Sequence, residues 1–99
     1  MKPQIIVIDE PLKGFIVETE ATTSGYLHLI LRFPNDYGAS VITGAGAYGL
    51  EMARILFVDE EAVEYNICEE PFGWLTNEQL NKMLHNIKET GWAKEDDKE

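Results

Sequence analysis

The stretch from Leu75 to Gly91 spells out a helix together with both of its ends. Thr76 is an N-cap residue and Gln79 stands three positions later, so each side chain can accept from the other residue's backbone N–H. Leu75, just before the cap, can pack on Leu80 as a hydrophobic staple. Leu80, Met83, Leu84 and Ile87 recur at spacings of three and four, which places them on one helical stripe. Glu78 in the first turn and Lys88 near the last suit the helix dipole. Gly91 suits the left-handed residue that closes a helix. The spacing predicts a helix over Asn77–Thr90 with a single apolar face. Such a face must be buried, so the rest of the chain has to supply a layer for it to cover.

That layer reads as antiparallel sheet. Leu27, Leu29, Leu31 and Phe33 alternate with His28, Ile30 and Arg32, the period of a strand with two unlike faces. Pro34 ends the strand, Asn35 and Asp36 favour a turn, and Gly38 can take positive φ. A second strand from Ala39 to Thr43 completes a hairpin with a loop of about five residues. Gln4–Ile8 is β-branched and predicts a short strand before the breakers Pro11 and Gly14. Phe15–Thr19 predicts another.

Leu50–Val58 fits two periods. Leu50, Ala53, Arg54 and Phe57 would share a helical face. Leu50, Met52, Arg54, Leu56 and Val58 would share a strand face. Arg54 interrupts both, and the run Ile55–Val58 favours strand by propensity. Ala62–Ile67 predicts a last strand. Phe72 and Trp74 are expected to plug the space between sheet and helix. The expected fold is α+β: a meander-like antiparallel sheet of four to five strands, with one C-terminal amphipathic helix on one face. Residues 1–93 form one domain, and 94–99 form a disordered charged tail.

Charge narrows the function. Eighteen acidic residues face eight basic ones, a net charge of −10. That balance repels nucleic-acid phosphates and anionic membranes, so neither is an expected direct partner. Ile5–Ile8 is too short for a signal core or a membrane span. Cys68 is the single cysteine, which excludes an intrachain disulfide and a thiolate-rich metal site and points to a reducing cytoplasm. It reads as buried and inert, with Glu69 and Glu70 raising its pKa. Gly44, Gly46 and Gly49 match a dinucleotide-binding spacing, but several strands precede them and no βαβ unit follows. They read as a glycine-rich loop with special dihedrals.

No cofactor, metal or catalytic residue is expected. His28 reads as a lone surface histidine. An enzyme would need His28 or His85 to converge with acids in a concave pocket. The remaining candidates are binding residues. Asp59, Glu60, Glu61, Glu64, Glu69 and Glu70 form an acidic stretch, with no Lys or Arg between Arg54 and Lys82. They make either a solvated face or a face for a basic protein. Tyr37 and Tyr48 beside the loops would add a contact patch of low ordering cost.

The segment Phe33-Pro34-Asn35-Asp36-Tyr37-Gly38-Ala39-Ser40-Val41-Ile42 resembles small accessory proteins of tailed bacteriophages and prophages. The likeness continues through a glycine- and tyrosine-containing loop, Gly49–Ala53, and the phrase Gly73-Trp74-Leu75-Thr76-Asn77-Glu78. It covers roughly residues 31–87. It implies a phage or prophage origin and a host-cytoplasmic accessory protein, but no activity. It also implies a strand for Leu50–Val58, because a variable loop sits naturally between hairpin strands. The leading expectation is a non-enzymatic protein that binds another, basic protein and inhibits a host nucleic-acid-binding or defence protein. The alternatives are a structural or morphogenetic virion component, for which a homodimer would be natural, and a small enzyme.

Thr76→Ala removes the cap on which the helix reading rests. It should lower stability by about 1 kcal/mol in urea titration.

Overall fold

The computed structural model describes residues 5–21, 27–44, 49–61 and 64–93. The period-two segments become strands β1 (Ile16–Ala21), β2 (Leu27–Arg32), β3 (Tyr37–Thr43), β4 (Glu51–Phe57) and β5 (Tyr65–Ile67). They pair antiparallel in chain order, β1-β2-β3-β4-β5, a five-stranded meander. Helix α1 (Asn77–Thr90) follows, so the fold is α+β as expected.

The β2–β3 turn is tighter than five residues. The Phe33 N–H donates to the Tyr37 carbonyl (2.8 Å) and the Asp36 N–H to the Phe33 carbonyl (3.0 Å). This is a three-residue loop closed by a left-handed residue, and that residue is Asp36 (φ 71°). Gly38, expected to fill that role, lies inside β3. A Cβ there would run into the Leu31 carbonyl oxygen.

Arg54 does not spoil the strand over residues 50–58. Register pairs Tyr37 with Leu56, Ala39 with Arg54 and Val41 with Met52, so Arg54 sits on the helix-facing side of β4. Leu29, Leu31, Phe33, Ala39, Val41, Leu50 and Met52 are buried on that side with Leu80, Met83, Leu84 and Ile87 of the helix. The helix lies against β3. Its ends follow the sequence closely. Thr76 Oγ1 accepts from the Gln79 N–H (3.0 Å) and Gln79 Oε1 accepts from the Thr76 N–H (2.9 Å). Gly91 is left-handed (φ 84°), and its N–H donates to the Ile87 carbonyl. Leu75 and Leu80 are both buried, as a staple requires.

The N-terminal segment corrects the sequence reading. Residues 5–9 join no strand, and a 3-10 helix spans Glu10–Phe15. The backbone groups a strand would have paired are met by asparagine side chains on α1. Asn77 accepts from the Val7 N–H and donates to the Ile5 carbonyl, both at 2.8 Å. Asn81, one turn on, accepts from the Asp9 N–H (2.8 Å) and donates to the Val7 carbonyl (2.7 Å). Each amide does the work of a neighbouring peptide group, so the segment is tied to the helix rather than to the sheet. Ile8 and Leu12 are thereby buried at the margin of the core.

Two aromatic expectations separate. Phe72 packs half-buried against the core, bridged to Met52. Trp74 does not plug the interior; it is 76% exposed and lies over Gly49, where its ring leaves no room for a Cβ. Gly44 and Gly49 both have positive φ, as the glycine-rich loop implied. Gly46 and the charged tail lie outside the described residues, and so do Gln4, Ala62 and Val63.

Asn81→Ala strips two backbone groups of their partners at a buried position. It should destabilise the fold by about 1–3 kcal/mol in urea titration. Asn77→Ala, at a more open position, should be milder.

Candidate functional site

One helix covers one face of the sheet. The other face carries the alternate residues. Its centre is apolar: Ile30, Ile55 and Phe57 are buried together, with Tyr65 packed against them. Phe57 and Tyr65 meet edge to face, 5.6 Å between centroids. Ile67, directly across from Ile55, is 60% exposed. Register places Glu18 beside Ile30 and Glu20 beside His28 on β1, and Glu51 beside Ile42 on β4. The face is therefore an apolar centre with glutamates along its margins.

Within this face His28 is not the exposed histidine the sequence implied. It is half-buried, with Nε2 2.7 Å from Ser40 Oγ and Nδ1 4.0 Å from Glu20 Oε1. Three adjacent strands thus align a serine, a histidine and a glutamate. Acyl transfer also needs free N–H donors aimed at a developing oxyanion. In the middle of a ladder those groups bond neighbouring strands, so the array is a polar cross-link between strands.

The turn from β4 to β5 carries most of the predicted acidic residues. Asp59 Oδ1 accepts from the Glu64 N–H (3.2 Å), which closes the turn. Arg32 ties the turn to β2. It donates to the Glu60 carbonyl (3.1 Å) and to Asp36 Oδ1 (2.9 Å), and its guanidinium lies 5.0 Å from the Phe57 ring centroid. Glu60, Glu61 and Glu64 are exposed beside the apolar centre. Glu70 is exposed further along the chain.

Glu69 and Tyr37 have interior duties. Glu69 accepts from Arg54 Nη2 (2.6 Å) and Nε. Arg54 Nη1 donates to the Gly91 carbonyl (2.6 Å), at the negative end of α1. The guanidinium lies 5.2 Å from the Tyr37 ring and 4.9 Å from the Trp92 ring. Its pKa is raised, first by the bond to Glu69, against the opposing effect of burial. The charge that interrupted both sequence periods is the tie between β4, the end of α1 and the chain just after β5. Tyr48 lies outside the described residues.

Cys68 is exposed, not buried. Its thiol pKa is raised, chiefly by partial desolvation, with Glu69 adding and Arg54 opposing. The direction is the one expected from the acidic neighbours, but the leading cause is desolvation rather than their charge.

His85 does converge with an acid. Its Nε2 is 2.9 Å from Asp9 Oδ2, in an open groove of about 480 Å³ that Asn77, Asn81 and Lys82 also line. The pair extends the asparagine attachment of the N-terminal segment by one more helical turn. Among the described residues, no three of His, Cys, Asp and Glu are grouped to hold a metal ion. Among them, no helix is long and apolar enough to cross a membrane. No protein-family model, curated protein or solved structure matches the chain.

Only the thiolate attacks a disulfide reagent. Cys68 should therefore react more slowly than an unhindered cysteine at neutral pH, with its pH–rate profile displaced to the alkaline side. Glu69→Gln should move that profile back down. A thiol-exchange assay with a chromogenic disulfide, run from neutral to alkaline pH, measures both effects.

Proposed function

We propose that this chain is an accessory protein of phage or prophage type that acts by binding a basic protein in the host cytoplasm. The observation behind the reading is the sheet face opposite α1, a buried apolar centre bordered by Glu18, Glu20 and Glu51 and by the turn that presents Glu60, Glu61 and Glu64. The two parts have separate uses. Tyr65 and Ile67, on the edge strand β5, offer desolvation area beside the buried centre. The carboxylates steer a positively charged partner and hold its orientation. A groove that otherwise accepts nucleic acid has the complementary charge, so occupation of such a groove would inhibit its owner. The net charge of −10 makes the long-range attraction strong at low salt and weak at high salt.

The test is affinity capture from bacterial lysate at low and high salt, with wild type and the Glu60→Gln/Glu61→Gln/Glu64→Gln variant side by side. A basic protein captured at low salt, released at high salt and lost from the variant is the expected result. Equal capture by both proteins sinks the reading. A closed ring in sedimentation would favour the morphogenetic alternative.

A further inference from the structure

We propose that β1 is a docking edge for an extended segment of another protein that carries Lys or Arg at every second residue and joins the sheet as a further strand. This rests on the protein-binding reading above and names the form of the partner.

The backbone supplies the first argument. Phe33 donates to Tyr37 across the β2–β3 turn, and the register runs unbroken from there. Odd-numbered residues of β2 therefore bond β3, and the even-numbered His28 and Ile30 turn to β1. Their partners there are Glu20 and Glu18. Bonding sides alternate along a strand, so Thr19 and Ala21 direct their N–H and C=O groups away from the sheet. Among the described residues no hydrogen bond reaches those groups.

Exposure supplies the second. Residues 17–21 are all exposed, because the helix lies over β3 and β1 is beyond its cover. The opposite edge is protected differently. β5 has three residues, Glu69 turns inward to Arg54, and Pro71 follows. β1 has six residues, no proline, and an apolar Val17 that is 48% exposed.

Charge selects the occupant. Glu18 and Glu20 project, exposed, from the face opposite α1, and a partner strand would set its own side chains about 5 Å from them. Alternate Lys or Arg residues would meet both carboxylates. A second copy would not. Antiparallel pairing of β1 with itself about Thr19 sets Glu18 against Glu20, and like charges placed opposite each other are destabilising.

The probe is a nine-residue peptide alternating lysine with valine and threonine, with its glutamate analogue as control. Titration followed by amide exchange should show the lysine peptide protecting the Thr19 and Ala21 amides, and the glutamate peptide leaving them unchanged. Thr19→Pro removes an outward N–H and no ladder bond, so the sheet should stay folded by circular dichroism. Affinity should fall about tenfold, the worth of one well-made hydrogen bond. Glu18→Lys/Glu20→Lys should reverse the preference in favour of the glutamate peptide, and this arm stands even if the proline variant unfolds. Protection elsewhere, equal binding of both peptides, or a wild-type dimer abolished by Thr19→Pro would overturn the proposal. If the lysate partner is lost from the turn variant but kept by Thr19→Pro, the protein-binding reading survives and the edge proposal fails.

Discussion

A single helix has to close one side of five strands, and the rest of the molecule is arranged around that shortfall. Fourteen residues of helix reach about 21 Å and cover a band about 10 Å wide. Strands stacked about 4.8 Å apart make a sheet roughly twice as broad. The helix therefore takes the middle of the sheet. The 3-10 helix and the extended N-terminal segment fill the margin beside it with Ile8 and Leu12. Nothing comparable among the described residues crosses the other side, where Ile30, Ile55 and Phe57 bury one another with help from Arg32 and Tyr65.

Arg54 is the second organising contact. A charge within the core-facing side of β4 would be costly alone. Here it faces the carboxylate of Glu69, the carbonyl at the helix end and two aromatic rings. The arrangement joins β4, the segment just after β5 and the end of α1. It also takes Glu69 out of the free acidic surface, leaving Glu60, Glu61, Glu64 and Glu70 as the exposed carboxylates of that stretch.

The features legible in sequence were those set locally. Thr76, Gln79 and Gly91 fixed both ends of α1, and alternation in 27–33 fixed β2, because the relevant bonds close within a few residues. The segment Ile5–Ile8 failed for the opposite reason. Its β-branched run carries a strand signal, but its backbone is satisfied by Asn77 and Asn81, seventy or more positions away. Those asparagines stand one helical turn apart beside the apolar stripe, which is the only trace they leave in the sequence. Arg54 likewise breaks a pattern without revealing its partners. The acidic stretch was visible as composition. That Glu69 turns inward, that Cys68 is exposed and that residues 17–21 are exposed depend on tertiary placement.

The asparagine attachment bears on the order in which the chain can assemble. The meander closes through near neighbours, and its hairpins can form as soon as each pair of strands is made. Residues 5–9 have no such option, since their bonds reach positions 72 and 74 residues downstream. During synthesis this segment leaves the ribosome well before α1 does, and it must wait for that helix before it can settle. Until then Ile6, Ile8 and Leu12 stay open to solvent and to chaperones.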